Sequence, residues 1–101
     1  MKDNPDHFNI LRVIKKKPNS SQREMANELG LSLGKLNYCI KALIKKGHIK
    51  INNFKSNKNK IRYAYILTPD GITAKTKLTI NFMKRKMKEY EELKAEIDNQ
   101  K

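Results

Sequence analysis

Residues 26–36 read Ala-Asn-Glu-Leu-Gly-Leu-Ser-Leu-Gly-Lys-Leu, and they carry the most specific fold signal in the chain. Gly30 can end one helix in a left-handed conformation, and the hydroxyl of Ser32 can cap the next one. Ala26 is small where two crossing helices would touch. Apolar anchors flank the turn at Leu29, Leu31 and Leu36. The spacing predicts a helix-turn-helix, and a generic helical hairpin is the alternative.

Capping signals predict two helices ahead of this turn. The first begins at Asn4 or Asp3, carries Pro5 in its first turn and ends before the next proline. The second begins at Ser21, which can form a capping box with Glu24 because each side chain can accept from the other's backbone N–H. We therefore expect two short helices that pack behind the turn.

The third helix is predicted to run from Ser32 to about Lys46, and Gly47 closes it. Its apolar positions recur at helical spacing, which predicts one buried face. That inward face consists of Leu36, Cys39, Ile40 and Leu43. We interpret Cys39 as a small buried hydrophobic residue, with a redox switch as the alternative, since a switch needs an exposed thiol of low pKa.

After the third helix the spacing of the apolar residues changes from helical to every second position. Residues 48–52 and 61–67 alternate, as half-buried strands do, and residues 53–60 between them are polar and basic. This pattern predicts an antiparallel hairpin with a basic tip. Three helices followed by such a hairpin is the order of a winged helix domain, so the predicted fold class is mainly α with a β-hairpin.

The C-terminal segment predicts one long helix. Thr68, Pro69 and Asp70 repeat the signals of a helix start, and no helix breaker follows Gly71. About 30 helical residues span roughly 45 Å, which exceeds the width of a small domain, so part of the helix must project. Its first turns, from Ile72 to about Leu78, are expected to pack against the winged domain through the first helix. We therefore divide the chain into a winged helix-turn-helix DNA-binding domain, 1–71, and a C-terminal dimerisation helix, 72–101.

The projecting half of that helix carries an apolar stripe with no core of its own to cover. The stripe is the predicted dimerisation surface and comprises Met83, Met87, Tyr90, Leu93 and Ile97. A basic block at residues 84–86 and an acidic block at 89–98 would attract each other if two such helices ran antiparallel. Parallel pairing and a lone solvated helix are the alternatives.

The charge of the chain points to a polyanionic partner. The 101 residues include 23 lysines and arginines against 10 aspartates and glutamates, a net charge of +13. Such a field attracts nucleic acid, which we favour over a membrane surface or a lysine-rich protein with no polyanionic partner. The excess of basic over acidic side chains is confined to residues 1–88, because residues 89–101 carry a net charge of −3.

Other functional classes find little support in the sequence. No apolar run approaches the ~18 residues of a membrane span, and the N-terminus lacks the apolar segment of a signal peptide, so we expect a cytoplasmic protein without a membrane partner. His7 and His48 are isolated from one another and from Cys39. We therefore expect no metal, no cofactor, no catalytic residue and no enzymatic activity.

Outward residues of the second and third helices are candidates for DNA contact. The third helix, about residues 32–46, would enter the major groove, where Asn37 can bond adenine, Lys35 can reach guanine and Tyr38 can pack on a thymine methyl or bond a phosphate. The helical candidates are Ser21, Gln22, Ser32, Gly34, Lys35, Asn37, Tyr38 and Lys41. The wing, residues 53–62, would lie on the minor groove or the backbone and adds Lys55, Lys58, Lys60 and Arg62.

Three blocks in the same order resemble the MarR family EPS-associated transcriptional regulators. They are SLGKLNYCIKALIKKG (32–47), YAYILTPDG (63–71) and FMKRKMKEYEELKAEI (82–97). The resemblance implies a small winged helix protein that binds DNA, uses no cofactor and controls transcription near exopolysaccharide genes. The chain lacks the extra helices and the acidic-arginine wing pattern of the broader MarR family, so no small-molecule ligand is expected.

The sequence thus predicts a bacterial transcriptional regulator that binds double-stranded DNA as a homodimer, with exopolysaccharide genes as the expected target. A protein-interaction adaptor and an RNA-binding winged helix protein are the alternatives. An adaptor would have no reason to place cationic and hydrogen-bonding groups together on the outward face of the third helix.

Overall fold

The computed structural model describes residues 4–55 and 61–100, and for residues 53–55 and 61–63 it describes the backbone only. The elements follow the order predicted for a winged helix-turn-helix fold with a long C-terminal helix. They are α1 Pro5–Lys16, α2 Gln22–Leu29, α3 Leu33–Lys45, β1 Ile49–Lys55, β2 Ile61–Leu67 and α4 Pro69–Asp98.

The helix starts lie where the capping signals predicted them. Asn4, rather than Asp3, caps α1, since its Oδ1 accepts hydrogen bonds from the N–H groups of Asp6 at 2.9 Å and His7 at 3.2 Å. Ser21 and Glu24 form both halves of the capping box. Because each cap satisfies backbone donors that have no carbonyl partner within the helix, local sequence alone sets these boundaries.

The core lies where α1, α2 and α3 meet. The four inward residues predicted for α3 are each no more than 1% exposed, and Met25 and Ala26 of α2 are buried against them. Gly30 ends α2 with a φ of 68°, a left-handed conformation that favours glycine. This packing holds the exposed face of α3 rigidly outward, on the side away from the core.

The two strands form an antiparallel hairpin in which Ile49 pairs with Leu67 and Ile51 with Tyr65. The sequence predicted that β1 would end at residue 52, but the strand continues to Lys55, opposite Ile61. Backbone hydrogen bonds form the ladder, so a strand can extend past the end of its apolar alternation. The tip, residues 56–60, lies outside the described residues.

Helix α4 is tied to the domain at its first turn. The hydroxyl of Thr68 accepts a hydrogen bond from the N–H of Gly71 at 3.0 Å, and the N–H of Thr68 donates to the carbonyl of His48 at 3.0 Å. A Cβ on Gly71 would lie 1.8 Å from that same carbonyl oxygen, so only glycine fits. The proposed division at residue 71 therefore falls within the first turn of α4, and no linker separates the two parts.

One face of α4 packs on α1, and the apolar stripe lies on another. The ring of Phe82 stacks on that of Phe8 with centroids 4.6 Å apart, and Leu78 packs against the core. Ile72 was expected to pack as well, but it is 49% exposed. At 3.6 residues per turn, the stripe is rotated by about 100° from the face that carries Leu78 and Phe82. The stripe is consequently exposed along the whole helix.

The projecting helix makes the molecule elongated, with extents of 67 × 26 × 21 Å. Within the residues that the structure describes, none of the helices combines the length and apolarity needed to cross a membrane.

Candidate nucleic-acid interface

The N-terminal half of α3 presents an exposed surface on which several of the predicted residues meet. Gly34, Lys35, Tyr38 and Lys41 are all exposed, and Tyr38 has 71% of its surface accessible. An aromatic side chain this exposed buries little of its apolar area within the subunit. The surface therefore combines two cations, a phenol and a glycine on one helix face.

Gly34 has no role inside the fold. A Cβ at this position would meet nothing within 4 Å, and its φ does not lie in the left-handed region. A glycine in a helix costs roughly 0.5–1 kcal/mol relative to alanine. This cost without an internal benefit makes Gly34 a candidate for close approach by another molecule.

The start of α3 can receive an anion. Ser32 caps the helix, with its Oγ accepting from the N–H of Lys35 at 3.1 Å. The N–H groups of Leu33 and Gly34 have no carbonyl partner within the helix, because the first turn leaves its donors unpaired. These donors and the helix dipole favour a phosphate at this end.

Three side chains from three elements form a hydrogen-bonded chain behind this surface. The Nε2 of Gln22 donates to the hydroxyl of Tyr65 at 2.9 Å, and the Nδ2 of Asn37 donates to the Oε1 of Gln22 at 3.1 Å. The sequence predicted that Asn37 and Gln22 would point outward. In the structure both are half-buried. Asn37 retains its Oδ1 and one N–H for a base.

Lys35, at the edge of this surface, forms a weak ion pair with Asp6. The Nζ of Lys35 lies 3.9 Å from Oδ2 of Asp6 on α1, and both side chains are well exposed to solvent. Exposed pairs of this kind contribute ~0–1 kcal/mol. Lys35 is thus held near the start of α3 and remains available to an acceptor on another molecule.

Burial favours the neutral forms of two titratable groups near α3, Cys39 and His7. Burial raises the pKa of the Cys39 thiol, with a smaller contribution from Asp6, and Cys39 is 1% exposed. Burial also lowers the pKa of His7, and the positive charge of Lys46 lowers it further. Burial and a raised pKa suit a core residue, as the sequence predicted for Cys39, rather than a reactive thiol.

The remaining predicted contacts are only partly described. Ser21 is exposed, but its hydroxyl already caps α2. Lys55 and Arg62 lie on β1 and β2, with side chains that the structure does not describe, and Lys58 and Lys60 lie outside the described residues. Their contribution to DNA binding stays a prediction.

Sequence reasoning missed Tyr65 and the aromatic contact between α1 and α4. Tyr65 is buried at the wing, and the alternation of residues 61–67 predicted a strand without identifying a partner for it. Phe8 and Phe82 lie 74 positions apart, so no local pattern connects them. Among the described residues, no group of three or more His, Cys, Asp or Glu side chains could hold a metal ion.

Comparison with known proteins places this geometry among winged helix-turn-helix folds. Residues 7–50 match the family described as winged helix-turn-helix DNA-binding. The fold is similar to the PcaV transcriptional regulator of Streptomyces coelicolor, solved with its natural ligand. The TM-score is 0.68 at 16% identity, covering 81% of this chain and 57% of that one. None of the curated protein sequences compared with the chain matches it.

Two further structures share the fold. FabT of Streptococcus pneumoniae, solved in complex with DNA, has a TM-score of 0.62 at 21% identity and covers 87% of this chain and 59% of that one. A MarR family regulator from Neisseria meningitidis has a TM-score of 0.64 at 17% identity, with 85% and 59% covered. The chain spans less than two thirds of the length of each of these three structures. Residues 7–50 thus form part of a winged helix-turn-helix domain, and the chain has the fold seen in MarR-family regulators.

Proposed function

We propose that the protein is a transcriptional regulator that binds double-stranded DNA through α3. The observation that carries this proposal is the exposed face of Gly34, Lys35, Tyr38 and Lys41, which serves no packing role and lies on the third helix of a winged domain. The family match over residues 7–50 and the FabT structure with bound DNA support it.

In this proposal α3 lies in the major groove with its N-terminal half. The first-turn N–H groups and Ser32 bind a phosphate, Lys35 reaches guanine acceptors and Asn37 bonds adenine with the Oδ1 and N–H that Gln22 leaves available. Tyr38 packs on a thymine methyl or bonds a phosphate, and Lys41 adds a phosphate contact. The absence of arginine from α3 favours sites with few guanines, because arginine is the most common partner of that base.

The wing supplies affinity more than specificity. Its basic residues, Lys55, Lys58, Lys60 and Arg62, would neutralise phosphates along the minor groove or the backbone. Contacts to phosphate position a protein on DNA but do not distinguish sequences. Substitution of wing lysines by alanine should therefore weaken binding to specific and random duplexes alike.

The regulator acts as a homodimer through α4. Its stripe of Met83, Met87, Tyr90, Leu93 and Ile97 is 58–64% exposed at every position, which is unusual for large apolar side chains of one helix face. Two winged domains joined in this way would read two half-sites related by a two-fold axis. The resemblance over residues 32–47, 63–71 and 82–97 supports exopolysaccharide genes as the regulated target.

Selection of duplexes from a random DNA pool tests this function without knowledge of the operator. We expect one recurrent sequence, bound with an affinity that falls steeply with salt, because each phosphate contact releases counterions. Asn37→Ala should cost about 1–3 kcal/mol on the selected duplex and little on random DNA.

Lys88→Ala is the matched control, since it removes one positive charge from an exposed position on α4 far from α3. It should bind the selected duplex nearly as the wild type does. Failure to enrich any sequence, together with α3 variants that bind DNA as the wild type does, would refute the proposal and leave the adaptor interpretation.

A further inference from the structure

A cationic and aromatic groove lies between α1 and α4, outside the candidate DNA interface. Its floor is the stacked pair Phe8 and Phe82, with the guanidinium of Arg12 5.4 Å from the first ring centroid and that of Arg85 4.2 Å from the second. The groove encloses about 440 Å³, and Lys75 and Lys86 also line it. No acidic side chain is found among the described residues of its lining.

The groove is continuous with the exposed stripe of α4. Met83 and Met87 belong to both, because they line the groove and also lie 58% and 63% exposed on the stripe. A partner that covers the stripe would therefore also reach the groove. That partner must offer apolar side chains for the methionines and negative charge for the lysines.

The stripe itself has the symmetry of an antiparallel pair. Met83, Met87, Tyr90, Leu93 and Ile97 are separated by four, three, three and four positions, so the pattern reads the same in both directions about Tyr90. Two copies of α4 that run antiparallel about Tyr90 bring Met83 beside Ile97 and Met87 beside Leu93. The chain therefore offers its own complementary surface.

The charges agree with this register. Residues 72–88 carry six basic and no acidic side chains, whereas residues 89–98 carry five acidic and one basic. Under the two-fold about Tyr90, Glu96 of the partner subunit lies on the groove side of the seam with Lys86, and Asp98 of the partner subunit lies on the other side with Lys84. Lys86 is also level with Lys94 of the partner subunit, so a like-charge pair remains across the seam. A parallel pair would instead place each basic block beside its own copy, where like charges repel.

We infer that the occupant of this groove is a second copy of the chain, whose α4 runs antiparallel about Tyr90 and lays its acidic last turns, residues 93–98, against the groove. The inference rests on the proposed homodimer and specifies its geometry. It also gives α1 a part in the interface, because Arg12 faces the same acidic turns. The two winged domains then lie at opposite ends of the paired helices.

Cysteine cross-linking of the full chain tests the register. The double variant Met83→Cys/Ile97→Cys should form a disulfide-linked dimer, whereas neither single variant should. In the antiparallel pair two copies of residue 83 lie about 21 Å apart along the helix axis, beyond the ~7 Å that a disulfide can bridge. The native Cys39 is 1% exposed and does not compete.

A charge swap provides a second measurement. Glu96→Lys should weaken dimerisation roughly tenfold, because its two symmetric ion pairs with Lys86 become repulsive, and the double variant that adds Lys86→Glu reverses both charges of each pair. The double variant should restore it. The two residues lie about 15 Å apart on one helix, so restoration must act between subunits. Lys88→Glu, on the outer face of α4, is the matched control and should leave the dimer unchanged.

The outcomes separate this inference from the proposed function. Single cysteine variants that cross-link, or a charge swap without restoration, would overturn the antiparallel register while the homodimer stands. A chain that sediments as a monomer at tens of micromolar would overturn both. DNA binding by α3 is measured separately from dimerisation. The loss or retention of DNA binding therefore does not bear on the antiparallel register or on the homodimer.

Discussion

Asn37 on α3 donates a hydrogen bond from its Nδ2 to the Oε1 of Gln22 at the start of α2, over 3.1 Å. Gln22 in turn donates to the hydroxyl of Tyr65 on β2 at 2.9 Å. Side-chain hydrogen bonds thereby join α2 and α3, the two helices of the helix-turn-helix, to the wing. Because Gln22 bonds one hydrogen of the Asn37 amide, it also sets the orientation in which the rest of that amide meets a base.

We expect Gln22→Leu to reduce the discrimination between specific and random DNA by about 1 kcal/mol, the contribution of one hydrogen bond. Leucine keeps much of the volume but leaves the Asn37 amide free to rotate. The ratio of the two dissociation constants measures the effect. Tyr65→Phe retains the bond between Gln22 and Asn37 and should change the ratio less. Equal losses on both kinds of DNA would mean that Gln22 contacts the backbone directly instead.

Gly34→Ala should separate stability from DNA binding. The added methyl group meets open space and favours the helix, so the free energy of unfolding should rise by roughly 0.5–1 kcal/mol. Affinity for the selected duplex should fall, because the methyl group intrudes where the phosphate backbone approaches. Urea denaturation and fluorescence anisotropy measure the two quantities. Unchanged DNA affinity would rule out a close approach at Gly34.

Gly71→Ala should lower the free energy of unfolding, in contrast to Gly34→Ala. Its Cβ would lie 1.8 Å from the backbone oxygen of His48, so either the turn after α3 or the start of α4 must move. Overpacking of this kind destabilises a fold by about 1–3 kcal/mol. Because the clashing atom belongs to the backbone of His48 and cannot move away easily, we expect the loss for Gly71→Ala to lie at the upper end of this range. Thermal unfolding followed by circular dichroism measures the loss. Ile72→Ala, at the exposed neighbouring position, is the control and should have little effect.

His7 should make the stability depend on pH. Burial lowers its pKa below 6.5, the positive charge of Lys46 lowers it further, and Asp6 opposes both. The unfolded chain therefore binds a proton more readily than the folded one, so this contribution to stability is present above pH 6.5 and is lost as the pH falls towards the lowered pKa. His7→Leu should flatten the fall in unfolding free energy between about pH 7 and pH 5. An identical pH profile in the variant would refute this.

Local sequence signals were sufficient to predict the helices, the hairpin and the inward faces. Asn4, Ser21, Ser32 and Thr68 start the four helices because a capping side chain acts on backbone donors within three residues of it. Helical periodicity identified the buried face of α3, and alternation identified the hairpin. These are short-range interactions, and the side chains that make them can be read from their spacing.

Which faces meet could be seen only in the folded chain. Periodicity states that a residue points inward or outward, but it does not name the partner. Gln22 and Tyr65 are 43 residues apart, and Phe8 and Phe82 are 74 apart. The same limit explains why Asn37 appeared free from the sequence and is held by Gln22 in the fold, and why the rotation between the two faces of α4 was missed. Contacts between distant segments depend on how the helices cross, which the packing of the whole core sets.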